Sequence, residues 1–197
     1  MRKILEAIVV GLLFGLATHI AEKYLPDNLQ FIVESKLIWL IPAFLVAYNM
    51  PLRRKQSDSV AISIITLLTT GLTYYLSEVI KNGGAFHFPS NTIIVIVMSV
   101  VVGAAIGLIA YYAHSATNQI IRYGSVSILP AIYTGDGINE IIQTINDFQF
   151  TPEIGVKVIG GIIFYILIAG HNKFKKKSLL VFFVLATITT LIYLYMV

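Results

Sequence analysis

The chain has no cysteine. That excludes disulfides, thiolate metal sites, thiol redox chemistry and cysteine nucleophiles. Charge is the next scarcity. Only 12% of the 197 residues are Asp, Glu, Lys or Arg, against about 25% in an ordinary soluble domain, too few to solvate a globule of this size. HExxH, GxSxG and a glycine-rich phosphate loop are missing too. No enzyme class is signalled, and neither a cofactor nor a metal is expected.

What remains is apolar. Hydrophobic residues make up 57% of the chain and its mean hydropathy is +0.82. This composition predicts an all-α, polytopic transmembrane helix bundle, a single integral membrane domain over 1–197, with the lipid bilayer as its first partner. The net charge of +4 and pI near 9.2 do not point to nucleic acid. The basic residues sit in short runs at the ends of apolar segments, where they set orientation.

A span needs about 20 apolar residues. Six stretches read as spans: 4–20, 31–52, 60–80, 92–112, 155–170 and 179–196. The first follows Arg2-Lys3 like a signal peptide, but lacks a small-x-small cleavage site after Ile20 and is taken as a retained helix. Ala7, Gly11 and Gly15 recur every fourth residue in it, with His19 continuing the stripe, and Ser99, Gly103 and Gly107 repeat the spacing in the fourth. Such stripes let another helix approach closely. They predict helix contacts, and the Gly11/Gly15 and Gly103/Gly107 faces are candidate surfaces for a membrane protein partner.

The stretch 118–147 decides the topology. Its middle is apolar, but Pro130 and then Gly135-Asp136-Gly137 interrupt it. Lys and Arg collect on the cytoplasmic side, so Arg2-Lys3, Arg53-Arg54-Lys55 and the lysine cluster at 173–177 all belong inside. That parity requires one more crossing between His114 and Gly155, and only 118–147 can supply it. The expectation is seven spans in the cell membrane, N-terminus cytoplasmic and C-terminus outside, with the fifth span broken at Pro130 and Gly135–Gly137. The alternative is six spans, with 118–147 on the inner surface.

A broken helix at membrane depth is tolerated where it lines a wet cavity, and transporters place ion sites at such breaks. Asp136 and Glu140 lie one helical turn apart, and a carboxylate inside a bilayer is rarely left facing lipid. His19, Glu78 and Tyr75 fall at the same level near the outer face. An outward-facing acidic cavity of Asp136, Glu140, Glu78, His19 and Tyr75 is therefore the candidate substrate-binding site, suited to a small cationic solute or a proton. The competing reading leaves Asp136 and Glu140 in water, with Asp136 at the N-terminus of a helix over 138–145. His19 and Glu22 have metal-compatible spacing, but two ligands do not make a site. A further alternative for the whole chain is a non-catalytic membrane interaction protein serving immunity, assembly or stress response.

Two resemblances bear on this. Leu25-Pro26-Asp27 with WLIPAFLVA at 39–47, Tyr74-Tyr75, and the run from Thr134 to Glu140 resemble an uncharacterised bacterial family of small polytopic membrane proteins built on a domain of unknown function. That resemblance implies no reaction, substrate or site. The Ala7-Gly11-Gly15 stripe and the chain length are similar to those of substrate-binding membrane subunits of energy-coupling vitamin transporters. This second resemblance implies six spans with both ends inside, one fewer than the charge parity demands.

Overall fold

Helix follows helix along the chain. The computed structural model describes residues 2–26, 30, 37–49, 55–81, 90–144, 151–169 and 175–196. The helices are α1 (Arg2–Tyr24), α2 (Leu40–Tyr48, entered through a 3-10 turn at Leu37–Trp39), α3 (Gln56–Lys81), α4 (Ser90–Ser115), α5 (Gln119–Thr144), α6 (Pro152–Ala169) and α7 (Lys175–Met196). The all-α class holds, and α1, α3, α4, α6 and α7 are long and apolar enough to cross a membrane. Asp27, Asn28, Arg53, Arg54, Asp147 and Lys173 lie outside the described residues.

The fifth expected span differs from the expectation, and the second, 31–52, is described only over residues 37–49. Helix α2 has nine residues, and 31–36 and 50–52 of the expected span lie outside the described residues. Its start is set by Pro42, buried in the first turn, where an amide N–H would have no intrahelical acceptor. Helix α5 is not broken. It runs 26 residues with Pro130 inside it. Its glycines serve close approach to neighbouring helices, and the loss of one backbone bond at Pro130 does not end it.

The helices gather into two compact units, Met1–His114 and Ser115–Val197. In the first, α3 is the inner helix. Of its most apolar window 44% is buried, against 22% for α1 and 28% for α4. The stripe Ala7, Gly11, Gly15 and Thr18 of α1 is buried. A Cβ on Gly11 would come within 2.8 Å of the Thr66 carbonyl oxygen, and one on Gly15 within 2.5 Å of that of Thr70. From another side, a Cβ on Gly103 of α4 would lie 2.8 Å from Ile64 Cα, and one on Gly107 2.5 Å from Val60 Cα. Both small-residue faces are therefore covered by α3 of the same chain. This corrects the expectation that they bind another protein, because a side chain there would meet backbone.

Several polar residues of α3 bond to their own helix, although the buried Ser63 Oγ has no hydrogen-bond partner. The Thr66, Thr69, Thr70 and Ser77 hydroxyls donate to the carbonyls of Ile62, Ile65, Thr66 and Thr73 at 2.7–2.9 Å. These groups need no water, which is what a bilayer interior demands.

In the second unit α5 is the inner helix. Gly137 meets Val158, and Thr134 and Pro130 meet Gly161, so α5 runs antiparallel to α6. Ser127 pairs with Ser178, and Gly135 meets Ala186 and Thr189, so it runs parallel to α7. The exposed large apolar residues of this unit sit mainly on α6 and α7, from Val156 to Leu167 and from Leu179 to Tyr195. Those of α5 are confined to Ile120, Ile121 and Ile142 near its ends. Helix α5 is less apolar than a typical span because its neighbours, rather than lipid, surround its middle.

Candidate functional site

Buried charge is concentrated at one point of the second unit. Lys157 projects from α6 with its side chain 12% exposed. Its ammonium lies 2.9 Å from Asp136 Oδ2 and 2.8 Å from Glu153 Oε1, and it also pairs with Glu140. Asp136 and Glu140 come from α5, one turn apart; Glu153 comes from α6, one turn before the lysine. An ammonium has three N–H donors, and here it serves three carboxylates. With all four groups ionised, three carboxylates against one ammonium leave an excess of negative charge.

The surroundings are polar as well. Asp136 acts electrostatically on Tyr133 and Tyr193. Among the described residues, the buried Tyr133 Oη, Thr134 Oγ1 and Asn139 Oδ1 have no hydrogen-bond partner. Asn139 is 5% exposed and directly precedes Glu140. Asp136 is in mid-helix rather than at the start of a helix over 138–145, which removes the capping reading.

The other expected site residues belong to the first unit. Tyr74 donates its hydroxyl proton to Glu22. Its ring meets His19 edge-on at 6.1 Å, Trp39 at 5.5 Å and Tyr75 at 5.1 Å. Trp39 Nε1 donates to Thr18 Oγ1 at 3.1 Å. Glu78 is exposed but acts electrostatically on Tyr74 and Tyr75. Thr18, not His19, continues the buried glycine stripe. A cavity of about 190 Å³ in this unit is lined by Trp39, Leu67, Tyr75, Met98 and Ser99 among others, and is almost wholly apolar. Of the expected site residues, only Tyr75 reaches it.

The expected residues thus fall into two sets, Asp136 with Glu140 and His19 with Tyr75 and Glu78, each gathered within its own unit. Glu153 and Lys157 were missed. Their signal was a Glu and a Lys four residues apart at the start of an apolar segment, where a lysine inside a span calls for a partner. Among the described residues, no group of three or more His, Asp or Glu could hold a metal ion.

The architecture is that of a multi-pass membrane protein with five candidate spans. No curated protein and no solved structure matches the chain. The whole chain, residues 1–197, matches the family of unknown function DUF6518, and it belongs to that family.

Proposed function

We propose that this protein binds or transports a small cation or a proton through the cluster of Asp136, Glu140, Glu153 and Lys157. One observation carries the reading: three part-buried carboxylates share a single ammonium between two helices of a membrane bundle. Uncompensated charge in such a place is costly, so an added cation or proton is the natural complement. The unpartnered Asn139 Oδ1 and Tyr133 Oη add acceptors and donors nearby. The role is non-enzymatic in this reading.

The same reading carries a topology. Helix α5 packs alongside α6 and α7, two helices able to span, with contacts from Ser127 to Gly137. A helix held along the length of two spans crosses with them. The N-terminus is then cytoplasmic, and Asp136 and Glu140 lie toward the outer side.

The test is thermal unfolding of purified protein in detergent, titrated with alkylammonium salts across pH, with sodium chloride as the ionic-strength control. Wild type is expected to gain Tm with one cation, or to change Tm with pH. Asp136→Asn and Glu140→Gln are expected to fold and to lose that response. A wild type with no response, or two variants that keep it, would sink the proposal.

A further inference from the structure

Pro130 sits near the middle of α5. It has no N–H to give the Val126 carbonyl, and sharp helix bends concentrate at such residues. The two halves of α5 are anchored differently. Before the proline, Ser127 Oγ donates to the Ser178 carbonyl at 3.1 Å, and Ser178 is itself joined to Tyr165 at 2.7 Å. Both hydrogen bonds are buried among neutral groups. After the proline, Gly135 and Gly137 offer no side chains, and the bonds from Thr189 and Thr190 to the Ala131 and Gly135 carbonyls are long, at 3.4 and 3.3 Å. The strong tie of this half is the pairing of Asp136 and Glu140 with Lys157 on α6.

We propose that α5 is hinged at Pro130 and that Lys157 is the latch holding its C-terminal half against α6. The arrangement of the carboxylates favours a latch over a fixed strut. Two of them travel with α5, and the third, Glu153, belongs to the lysine's own helix, four residues away. When α5 lets go, Lys157 keeps Glu153 as its partner, so no buried ammonium is left unpaired, while Asp136 and Glu140 are released together to take protons or water. The inference goes beyond cation binding, because it holds whether or not the cluster takes a solute.

The test is a distance measurement by paired spin labels, made clean by the lack of native cysteine. One pair, Ile142→Cys with Ile159→Cys, spans α5 beyond the hinge and α6; the other, Ile121→Cys with Ile166→Cys, spans α5 before the hinge and α6. All four positions are exposed. In Asp136→Asn/Glu140→Gln the first distribution is expected to broaden toward longer distances while the second stays as in wild type. Glu153→Gln is expected to leave both unchanged. Adding Pro130→Ala to the double variant is expected to narrow the first distribution again. Should the double variant not fold, each single variant is measured in its place. Equal broadening of both pairs, no broadening of the first, or indifference to Pro130→Ala would each overturn the hinge. Because the readout is a distance without added ligand, its failure is distinct from a failure to bind cations.

Discussion

Helices α3 and α5 hold the same position in their units and solve the problem of polarity inside a membrane bundle in opposite ways. Helix α3 carries Ser59, Ser63, Thr66, Thr69, Thr70 and Ser77, and the hydroxyls of Thr66, Thr69, Thr70 and Ser77 bond back to their own helix. It is neutral in its middle and tolerates backbone-to-backbone approach from α1 and α4. Helix α5 carries carboxylates that cannot be satisfied by their own helix, so its stability is tied to a lysine on another. Self-contained polarity makes a scaffold. Polarity that depends on a partner makes a place where binding, protonation or movement can be felt.

The largest effect that would break this comparison is all or none. If α5 crosses as α3 does, Asp147→Cys is labelled by a membrane-impermeant thiol reagent on intact cells, like Asn28→Cys outside and unlike Ser57→Cys inside. Protection of position 147 until the cells are opened would remove α5 from the bilayer.

Next is Lys157→Ala, expected to destabilise by about 3–5 kcal/mol, because it strands part-buried carboxylates. The measurement is equilibrium unfolding in mixed micelles. The matching change on the α3 side, Thr70→Val, keeps the shape and removes a self-satisfied hydroxyl, and is expected to cost under about 1 kcal/mol. Equal costs would erase the distinction between the two helices.

Overpacking the close approaches comes third. Gly107→Leu and Gly11→Leu are expected to cost about 1–3 kcal/mol or more, with a shift in the emission of Trp39, the single tryptophan, which lies in the first unit. Gly124→Ala and Gly160→Ala, with nothing within 4 Å of an added Cβ, should be neutral or slightly stabilising. The smallest effect belongs to Thr190→Val, about 0.6 kcal/mol, a usual value for an interhelical hydrogen bond in a membrane. A much larger loss would give the α5–α7 bonds a weight that their lengths do not suggest.

Much of the scaffold was legible. The spacing of Ala7, Gly11 and Gly15 marked a packing face, and so did that of Ser99, Gly103 and Gly107. What covers each face was not legible, since a pattern on one helix names no partner. Both turned out to meet α3. The polar stripe of α3 at 59, 63, 66 and 70 was also present in the sequence. Its meaning emerges only once those residues are seen to be buried. Pro130, Gly135 and Gly137 pointed to a broken helix, because local signals take no account of neighbours that hold a helix together. At the site, the one-turn spacing of Asp136 and Glu140 was readable. That Lys157 and Glu153 join them was not readable, since pairing across helices is a tertiary fact. His19, Tyr75 and Glu78 were grouped with the carboxylates by depth, and the structure describes them in the first unit.

The cluster of carboxylates around Lys157 has a consequence for how this protein is made. Chains emerge N-terminus first, so Asp136 and Glu140 leave the ribosome before Lys157 exists. A solitary α5 in hydrocarbon would carry two carboxylates at roughly 2.5–3.5 kcal/mol each. If α5 crosses as proposed, its insertion has to wait for α6, the two entering as a hairpin with the charges already matched. The short spacing between residues 140 and 157 would then keep that wait brief.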